Sequence, residues 1–341
     1  MQKIMENSPL VSIALCTFNG ADFLKEQLES IVCQSYKNIE LIIVDDCSTD
    51  GTVQIIQDFI KDSNVKSSFY RNEVNVGYVK NFEKAIKLCN GAYIALSDQD
   101  DIWSLDKIDK LVSGIGDNLL IYHDSAFMDK HGKPLSVRMS DVFNMYEGDD
   151  PIPFLLFNCI SGHSCLFASS IVEKLLPFSD QHFHDWWIAY VCINLGTIKY
   201  IDECLVRYRR HEESVVSKET DMERHDTKAR KYLQKIQNKQ ETALLQYLWL
   251  KKCYEFAYNK YPKFVSVLYF RFKSRLKYWF TPITFAILFL FNKRLLFIRK
   301  AHNAFGEISH GRYLRKNYLF GVNGVKIWYN IKSTLRSKKS I

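Results

Sequence analysis

The sequence predicts an α/β protein built on a mostly parallel sheet that is flanked by helices. From residue 10 to about residue 120, short apolar runs alternate with amphipathic stretches of helix length. This alternation is the pattern of βα units around a parallel sheet. In runs such as LIIV at 41–44, consecutive residues are apolar, as expected for strands that are buried on both faces.

The alternation predicts the elements in chain order. The predicted strands are Val11–Leu15, Ile39–Val44, Lys66–Tyr70, Ala92–Leu96 and Leu119–Tyr122. The predicted helices are Ala21–Cys33, Thr52–Lys61, Val79–Leu88 and Leu105–Ser113. An acidic loop, Asp141–Pro153, leads into a second half of the same domain, which extends from Phe154 to about Val216. A charged amphipathic helix is predicted beyond it, over Asp221–Phe256.

Length and composition limit the class of protein. A chain of 341 residues that is 47% apolar can build a packed core, which excludes general disorder. The nine cysteines form no C-x-x-C pair and mostly lie in apolar runs, so we expect buried, reduced thiols rather than disulfides or a zinc site. The N-terminal segment lacks the long apolar core of a signal peptide, which predicts a cytoplasmic catalytic part.

Charge is divided unevenly along the chain. Residues 256–341 contain 18 Lys and Arg but one acid, a net charge of +17, so the remainder of this +8 chain is net −9. We therefore predict a catalytic domain over residues 1–217 and a helical, basic region over 218–341. Such a region needs an acidic partner, and nucleic acid is the weaker candidate because no recognised nucleic-acid motif accompanies the charge.

The basic region contains a charge-free stretch, YWFTPITFAILFLFN at 278–292. It is shorter than the ~20 apolar residues that span a bilayer. Because Lys and Arg flank it, we predict an interfacial anchor on an anionic membrane, in which apolar side chains enter the lipid. These side chains are Trp279, Phe280, Phe285, Ile287, Leu288, Phe289 and Phe291. The alternative is a helical pair that packs on the catalytic domain and leaves a solvated basic face.

Three strand ends carry candidate functional residues, because ligands of open parallel sheets bind beyond the carboxyl ends of the strands. CTFNG at 16–20 contains small and amide residues that allow close approach of a ligand; an ordinary helix N-cap is the alternative. Asp45 and Asp46 end the second strand, and two adjacent carboxylates imply hydrogen-bond donors such as a nucleobase N–H and ribose hydroxyls.

The fourth strand is followed by SDQDD at 97–101, with carboxylates at Asp98, Asp100 and Asp101. Mg²⁺ and Mn²⁺ prefer carboxylate and phosphate oxygens, and one or two carboxylates plus substrate phosphates typically hold them. This cluster predicts a divalent-cation site. A solvated acidic turn is the alternative.

The motifs VSIALCTFNG, LIIVDDCSTDGT, NVGYVKNFEKA and LSDQDDIW, in this order, resemble the family 2 glycosyltransferases of the GT-A fold. SDQDDIW, with the later HDWW and YRRHEESV, resembles especially the bacterial rhamnosyltransferase-like members that build surface polysaccharides. The resemblance covers residue 10 to about residue 217.

The resemblance implies roles for particular residues. Cys16, Thr17, Phe18, Asn19, Asp45, Asp46, Asn81 and Asp98 are implied to bind the nucleotide sugar. Asp98, Asp100 and His211 are the implied metal ligands, and Asp101 is implied to contact these ligands without binding the metal itself. An ordinary surface histidine is the alternative for His211. Arg209 and Arg210 can pair either with phosphates or with the Glu-rich sequence that follows them.

The resemblance also implies an acceptor side. Asp185 of HDWW matches the catalytic base of the family, which takes the proton of the acceptor hydroxyl. Trp186 and Trp187 offer flat surface for a sugar, and Gly162 and His163 precede the base. In most members of the family that this chain resembles, a less polar residue stands in the place of His163. A helix start with Asp185 as cap and buried indoles is the alternative.

These residues predict an inverting, metal-assisted glycosyltransferase with a nucleoside-diphosphate sugar donor and Mg²⁺ or Mn²⁺. We rank dTDP-rhamnose first as donor and UDP-sugars next, with a lipid-linked glycan as acceptor at the inner face of the cell membrane. The rivals are a nucleotidyltransferase, which lacks its Gly-rich, Lys-containing phosphate loop here, and an inactive membrane-bound scaffold.

Overall fold

A computed structural model describes residues 8–210, 228–278, 280–300, 310, 313–315 and 317–319. The chain forms two compact units. One contains residues 1–150 and 158–212, and the other contains residues 151–157 and 213–341. The predicted domain boundary at residue 217 lies outside the described residues and stays a prediction.

A mixed sheet forms the centre of the first unit. Its strands are β1 Val11–Thr17, β2 Ile39–Asp45, β3 Lys66–Arg71, β4 Tyr93–Ser97, β5 Ile102–Trp103, β6 Leu120–Met128, β7 Pro134–Arg138, β8 Cys165–Ala168 and β9 Ile198–Arg209. Their order is β3-β2-β1-β4-β8-β6-β9-β5, with β7 beside β6. The first four strands are parallel, and β8 is antiparallel to both of its neighbours, β4 and β6.

Helices cover the sheet. In this unit they are α1 Leu24–Val32, α2 Thr52–Asp62, α3 Tyr78–Leu88, α4 Lys107–Ile115, α5 Met139–Val142, α6 Val172–Leu175 and α7 His184–Leu195. Val11, Ile13 and Leu15 of β1 share one apolar cluster with residues of α1, α2 and α4. Helix α3 packs on β1 and β2. All seven residues of β1 are buried, as expected for a central strand of a parallel sheet that is apolar at every position except Ser12 and Thr17.

The predicted α/β class is confirmed, and each of the five predicted strands and four predicted helices of the first 120 residues exists. Strand ends differ by one or two residues, apart from β6, which continues to Met128. This strand is longer than its apolar run because it pairs with β9 along its whole length. Such pairing depends on residues about 80 positions away, which local periodicity does not report.

The second unit is helical. Its described helices are α8 Lys228–Glu255, α9 Pro262–Lys277, α10 Pro282–Leu290 and α11 Asn292–Leu295. Within this unit, Phe154 is fully buried and its carbonyl accepts a hydrogen bond from the Trp249 indole at 3.3 Å. Segment 151–157 therefore packs with the C-terminal helices, whereas the sequence placed residues from Phe154 onward in the catalytic half.

Gly91 allows the chain to pass close to β1 just before β4. A Cβ at this position would lie 2.6 Å from the Ser12 nitrogen and 2.7 Å from the Leu10 oxygen. Both atoms belong to the backbone at the start of a central strand, so neither can move without disturbing the sheet.

We predict that Gly91→Ala lowers the free energy of unfolding by about 3 kcal/mol, the cost of overpacking a site that cannot relax. Gly51→Ala is the matched control, since its Cβ would meet the Ala21 Cβ at 3.7 Å, an ordinary contact, and should cost less than about 1 kcal/mol. Urea unfolding of both variants measures the difference. Equal losses would contradict the close approach at Gly91.

Candidate active site

The candidate site lies at the carboxyl ends of β1, β2 and β4. The strand order places β1 between β2 and β4. The chain builds outward from β1 through β2 to β3, and then returns to the other side of β1 with β4. Loops on either side of such a reversal diverge and leave a crevice. The loops after these three strands contain all three sequence motifs singled out above.

The loop after β1 is fastened to the loop after β2. Asn19 adopts a left-handed conformation with φ of 46°, which asparagine tolerates better than most residues. Its side-chain oxygen accepts a hydrogen bond from the Thr49 N–H at 2.8 Å. The Gly20 N–H donates to the Thr52 hydroxyl at 2.8 Å. Asn19 therefore acts between loops rather than as a helix cap.

Phe18 and Gln99 join this loop to the acidic turn after β4. The Phe18 N–H donates to Gln99 Oε1 at 2.8 Å, and Gln99 Nε2 donates to the Phe18 carbonyl at 3.0 Å. The Phe18 side chain remains 45% exposed. Cys16 and Thr17, in contrast, are buried at the end of the strand. Of Cys16, Thr17 and Phe18, Phe18 thus offers the surface on which a ligand can lie.

Asp45 is fully buried, and the protein itself supplies its donors. Its carboxylate accepts hydrogen bonds from the Thr17 hydroxyl at 3.0 Å, from the Ser48 N–H at 2.9 Å and from the Ser48 hydroxyl. The Arg71 guanidinium lies 3.6 Å away. These contacts fix the turn that follows β2.

Asp46 and Asn81 organise the loop before α3. Asp46 accepts hydrogen bonds from the Val76 N–H at 2.9 Å, the Gly77 N–H at 2.8 Å and Asn72 Nδ2 at 2.8 Å. Asn81 donates to the Val44 carbonyl at 2.8 Å and is 1% exposed. Both side chains are therefore engaged within the protein, and their contact with a nucleotide stays a prediction.

Arg209, at the end of β9, holds the acidic turn in place. Its N–H donates to Asp101 Oδ1 at 3.2 Å, and its guanidinium donates to the Asp100 carbonyl at 2.8 Å. The same guanidinium donates to Glu26 at 2.6 Å and to the Lys130 carbonyl at 3.0 Å. Arg209 is 2% exposed, so it holds the turn in place. It does not pair with phosphates, which was one of the two roles predicted for it from the sequence.

Asp98, Asp101 and His163 form the group that could hold a cation. Their ligand atoms all lie within 4.8 Å of one another. His163 Nδ1 is 3.8 Å from Asp98 Oδ2 and 3.6 Å from Asp101 Oδ2. Asp101 is fully buried, and its Oδ2 has no hydrogen-bond partner. A buried carboxylate oxygen without a donor is costly, and a divalent cation would satisfy it. These residues therefore fit a metal.

The group differs from the predicted metal ligands. Asp98 belongs to both sets, whereas Asp101 and His163 were assigned to the shell behind the metal and to the acceptor side. Asp100 is not in the group, although it precedes Asp101 directly. His211 lies outside the described residues, so its predicted role stays a prediction.

Lys107 supports this group and was not anticipated from the sequence. It is fully buried, donates to the His163 carbonyl at 2.6 Å and lies 3.3 Å above the centre of the Trp103 ring. Burial lowers the pKa of its ammonium well below the usual range. A lysine in the first turn of an amphipathic helix ordinarily faces solvent, so the sequence contained no signal for this contact.

Asp185 begins α7 beside Gly162. Its half-buried carboxylate accepts hydrogen bonds from the N–H groups of Trp186 and Gly162. Burial raises the pKa of Asp185 to about 7, because the charged form loses water. A carboxyl group with such a pKa can accept a proton near neutral pH.

The residues predicted to lie beside Asp185 on the acceptor side differ in how deeply they are buried. A Cβ on Gly162 would lie 3.8 Å from that of Asp185, which shows how closely the two backbones approach. Trp186 is half-buried next to the base. Trp187 is 5% exposed and donates its indole N–H to the Leu175 carbonyl at 2.9 Å. Trp187 is therefore a core residue, and its predicted place on the acceptor surface needs correction.

Comparison with known proteins decides the family. The sequence model of "Glycosyl transferase family 2" matches residues 12–176. The putative teichuronic acid biosynthesis glycosyltransferase TuaG of Bacillus subtilis is 32% identical over 213 residues, which cover 61% of this chain and 82% of TuaG. The chain belongs to glycosyltransferase family 2.

A further glycosyltransferase and a solved structure are also similar to this chain. The dTDP-rhamnosyl transferase RfbG of Shigella flexneri is 29% identical over 222 residues, covering 59% of this chain and 73% of RfbG. The mannosyltransferase PcManGT of Pyrobaculum calidifontis, solved with GDP-Man and Mn²⁺, superposes with a TM-score of 0.52 at 14% identity and covers 92% of this chain and 82% of that one. This similarity shows the shared GT-A fold.

Asp185→Asn should stabilise the fold of this glycosyltransferase in a pH-dependent way. Because the pKa of Asp185 is raised to about 7, the ionised carboxylate destabilises the fold progressively as pH rises from about 4 to 7. Without cation or donor, the variant should therefore gain about 1–3 kcal/mol in the free energy of unfolding at pH 8 and less at pH 5. Chemical denaturation at the two pH values measures this gain.

The exposed Asp117, in the turn that follows α4, provides the control. Asp117→Asn should leave stability unchanged at both pH values. A loss of stability in Asp185→Asn at pH 8 would instead indicate that Asp185 serves as a helix cap, the structural alternative.

Proposed function

We propose that this family 2 glycosyltransferase transfers a sugar, with inversion, from a nucleoside-diphosphate donor to a glycan acceptor in surface polysaccharide synthesis. One observation supports this above the others. Gly162, whose N–H bonds to Asp185, directly precedes His163, which lies 3.8 Å from Asp98. A candidate base and a candidate cation site are thus linked by two consecutive residues, Gly162 and His163.

Asp185 acts as the base in the proposed reaction. It accepts the proton of the acceptor hydroxyl as that oxygen attacks the anomeric carbon of the donor. The Gly162 N–H stabilises the ionised carboxylate. A divalent cation held by Asp98, Asp101 and His163 would supply charge stabilisation for the departing nucleoside diphosphate. The exposed Phe18 ring and the Gln99 contact behind it position the nucleotide.

The donor that we propose first is dTDP-rhamnose, with UDP-sugars next. The similarity to the dTDP-rhamnosyl transferase RfbG supports this ranking, and the similarity to TuaG, a putative teichuronic acid biosynthesis glycosyltransferase, supports a role in polysaccharide synthesis. Membership of family 2 favours glycosyl transfer over the rival nucleotidyl transfer. Asp98 and Asp101 belong to one candidate cation site, and the charge of Asp98 is close enough to Asp185 to raise its pKa, which argues against the inactive scaffold.

A donor screen tests this function. We expect purified protein to release nucleoside diphosphate from one member of a panel containing dTDP-rhamnose, UDP-glucose, UDP-N-acetylglucosamine and GDP-mannose, with Mn²⁺ or Mg²⁺ present. Asp98→Asn should reduce the rate by about 10²–10³-fold, because charge stabilisation of several kcal/mol is lost. Asp109→Asn, on the exposed side of α4, should match wild type.

Undiminished release in EDTA would contradict metal assistance. Full activity in Asp98→Asn would remove Asp98 from the site.

We also propose that the C-terminal unit attaches the enzyme to the anionic inner face of the cell membrane. Within the described residues, no helix is both long and apolar enough to cross a bilayer. Helix α10 and its neighbours expose Phe280, Ile283, Phe289, Leu290 and Phe291. Exposed basic side chains flank them at Lys273, Lys277, Lys293 and Arg294. Apolar insertion combined with basic flanks is the composition of an interfacial anchor.

The structure changes the predicted set of lipid-facing residues. Leu288 is fully buried within the unit, so it packs on the helices instead of entering lipid. Trp279 lies outside the described residues. Leu290, which is 77% exposed, takes the place that the sequence assigned to Leu288.

Phe289→Ser with Leu290→Ser should weaken flotation with vesicles of phosphatidylglycerol and phosphatidylcholine by at least about tenfold, since each apolar side chain that enters lipid contributes about 1.5–3 kcal/mol. Leu135→Ser with Val137→Ser, two exposed apolar residues of β7, is the matched control. Raised salt should reduce binding, because each Lys or Arg near the surface contributes about 1 kcal/mol that ions screen. Binding that is insensitive to salt and to both substitutions would rule out the anchor.

A further inference from the structure

We propose that His163 is a nitrogen ligand of the catalytic cation and that it makes this site prefer Mn²⁺ over Mg²⁺. This inference rests on the proposed function, because it concerns the same site. The three atoms involved are His163 Nδ1, Asp98 Oδ2 and Asp101 Oδ2.

The distances between these atoms fit shared coordination better than direct contact. At 3.6 and 3.8 Å, the separations of Nδ1 from the two carboxylate oxygens are too long for hydrogen bonds. Two ligands of one cation lie roughly 3–4 Å apart when each bond is about 2.1 Å. The unpartnered, fully buried Asp101 Oδ2 is an independent indication that a positive charge belongs between them.

The rest of the His163 side chain is held as metal-ligating histidines usually are. Its Nε2 lies 3.0 Å from the Ser125 hydroxyl. If Nε2 donates there, the lone pair of Nδ1 faces Asp98 and Asp101, which fixes the tautomer that binds metal. The imidazole also stacks on Tyr208, with ring centres 4.6 Å apart and planes at 21°.

The backbone of His163 is fixed as well. Its carbonyl accepts the hydrogen bond from Lys107, and its side chain is 3% exposed. Ring and backbone are therefore both held before any cation binds. A ligand positioned in advance in this way loses little conformational freedom on binding.

The ligand types decide the metal. Mg²⁺ is a hard cation that takes oxygen ligands and keeps several waters, whereas divalent transition metals, of which Mn²⁺ binds such sites most weakly, also accept an imidazole nitrogen. Two carboxylates with one imidazole accept Mn²⁺ more readily than Mg²⁺. An all-carboxylate site would lack this preference.

Electron spin-echo envelope modulation of Mn²⁺ bound to the wild-type protein, without donor, tests the ligand directly. We expect nitrogen modulation from imidazole, and its isotope shift in protein labelled with ¹⁵N-histidine. His163→Phe, which keeps a ring for stacking on Tyr208, should abolish the modulation. His131→Gln, on an exposed loop, should leave it unchanged. Wild-type Mn²⁺ spectra without nitrogen modulation would overturn the proposal, whatever the variants do.

Titration calorimetry with Mn²⁺ or Mg²⁺ alone tests the preference. Wild type should bind Mn²⁺ more tightly, and Ser125→Ala should weaken Mn²⁺ binding about 10–100-fold, the usual effect of losing the partner of a ligating histidine. His163→Phe should lower the ratio of Mn²⁺ to Mg²⁺ affinity at least about tenfold. An unchanged ratio in a folded His163→Phe variant would contradict the assignment.

These experiments distinguish a failure of the His163 assignment from a failure of the proposed function. Metal-dependent donor turnover without nitrogen modulation would refute His163 as ligand and leave glycosyl transfer intact. Nitrogen modulation in a protein that releases no nucleoside diphosphate from any donor would support the ligand and refute the proposed function.

Discussion

Buried carboxylates at the ends of parallel strands must be matched, which means that a positive charge or hydrogen-bond donors must compensate their negative charge. The arrangement of the other residues of this site depends on which groups do so. Each unmatched charge in such a place costs several kcal/mol. Asp45 and Asp46 are matched completely within the chain. Their donors include backbone N–H groups of the loops after β2 and before α3, so the two carboxylates shape the crevice walls.

Two carboxylates that the protein leaves incompletely matched, Asp101 and Asp185, have proposed chemical roles. Asp101 has a donor on one oxygen, supplied by Arg209, and none on the other. Asp185 keeps a raised pKa because the backbone N–H groups that donate to it do not replace the water that it has lost. One site can hold a cation and the other can take a proton, which are the two functions that the proposed glycosyl transfer with inversion uses.

Local sequence predicted the strands and helices well because β1, β2 and β4 are buried on both faces and the helices are amphipathic. It also indicated that Asp45 and Asp46 need donors, and it looked for them on a ligand. Donors of Asp46 within the chain, the N–H groups of Val76 and Gly77, belong to a loop about 30 residues away. No periodicity indicates such a contact.

The same limit explains the difference at the cation site. His163 meets Asp98 and Asp101 because antiparallel β8 lies beside β4, and Arg209 reaches Glu26 across 183 positions. Both contacts follow from the order of strands in the sheet. Motif spacing near residue 100 drew attention to Asp100, whereas the fold turns the next residue, Asp101, into the interior.

The central claim is that one base, Asp185, acts on the acceptor in a single displacement. The anomeric configuration of the product tests it most directly. Proton NMR of the first product formed by the wild-type enzyme, from the donor that the screen identifies, should show a configuration opposite to that of the donor. Retention of the donor configuration would contradict the account, because it requires either two successive displacements or a front-face reaction in which Asp185 has no such role.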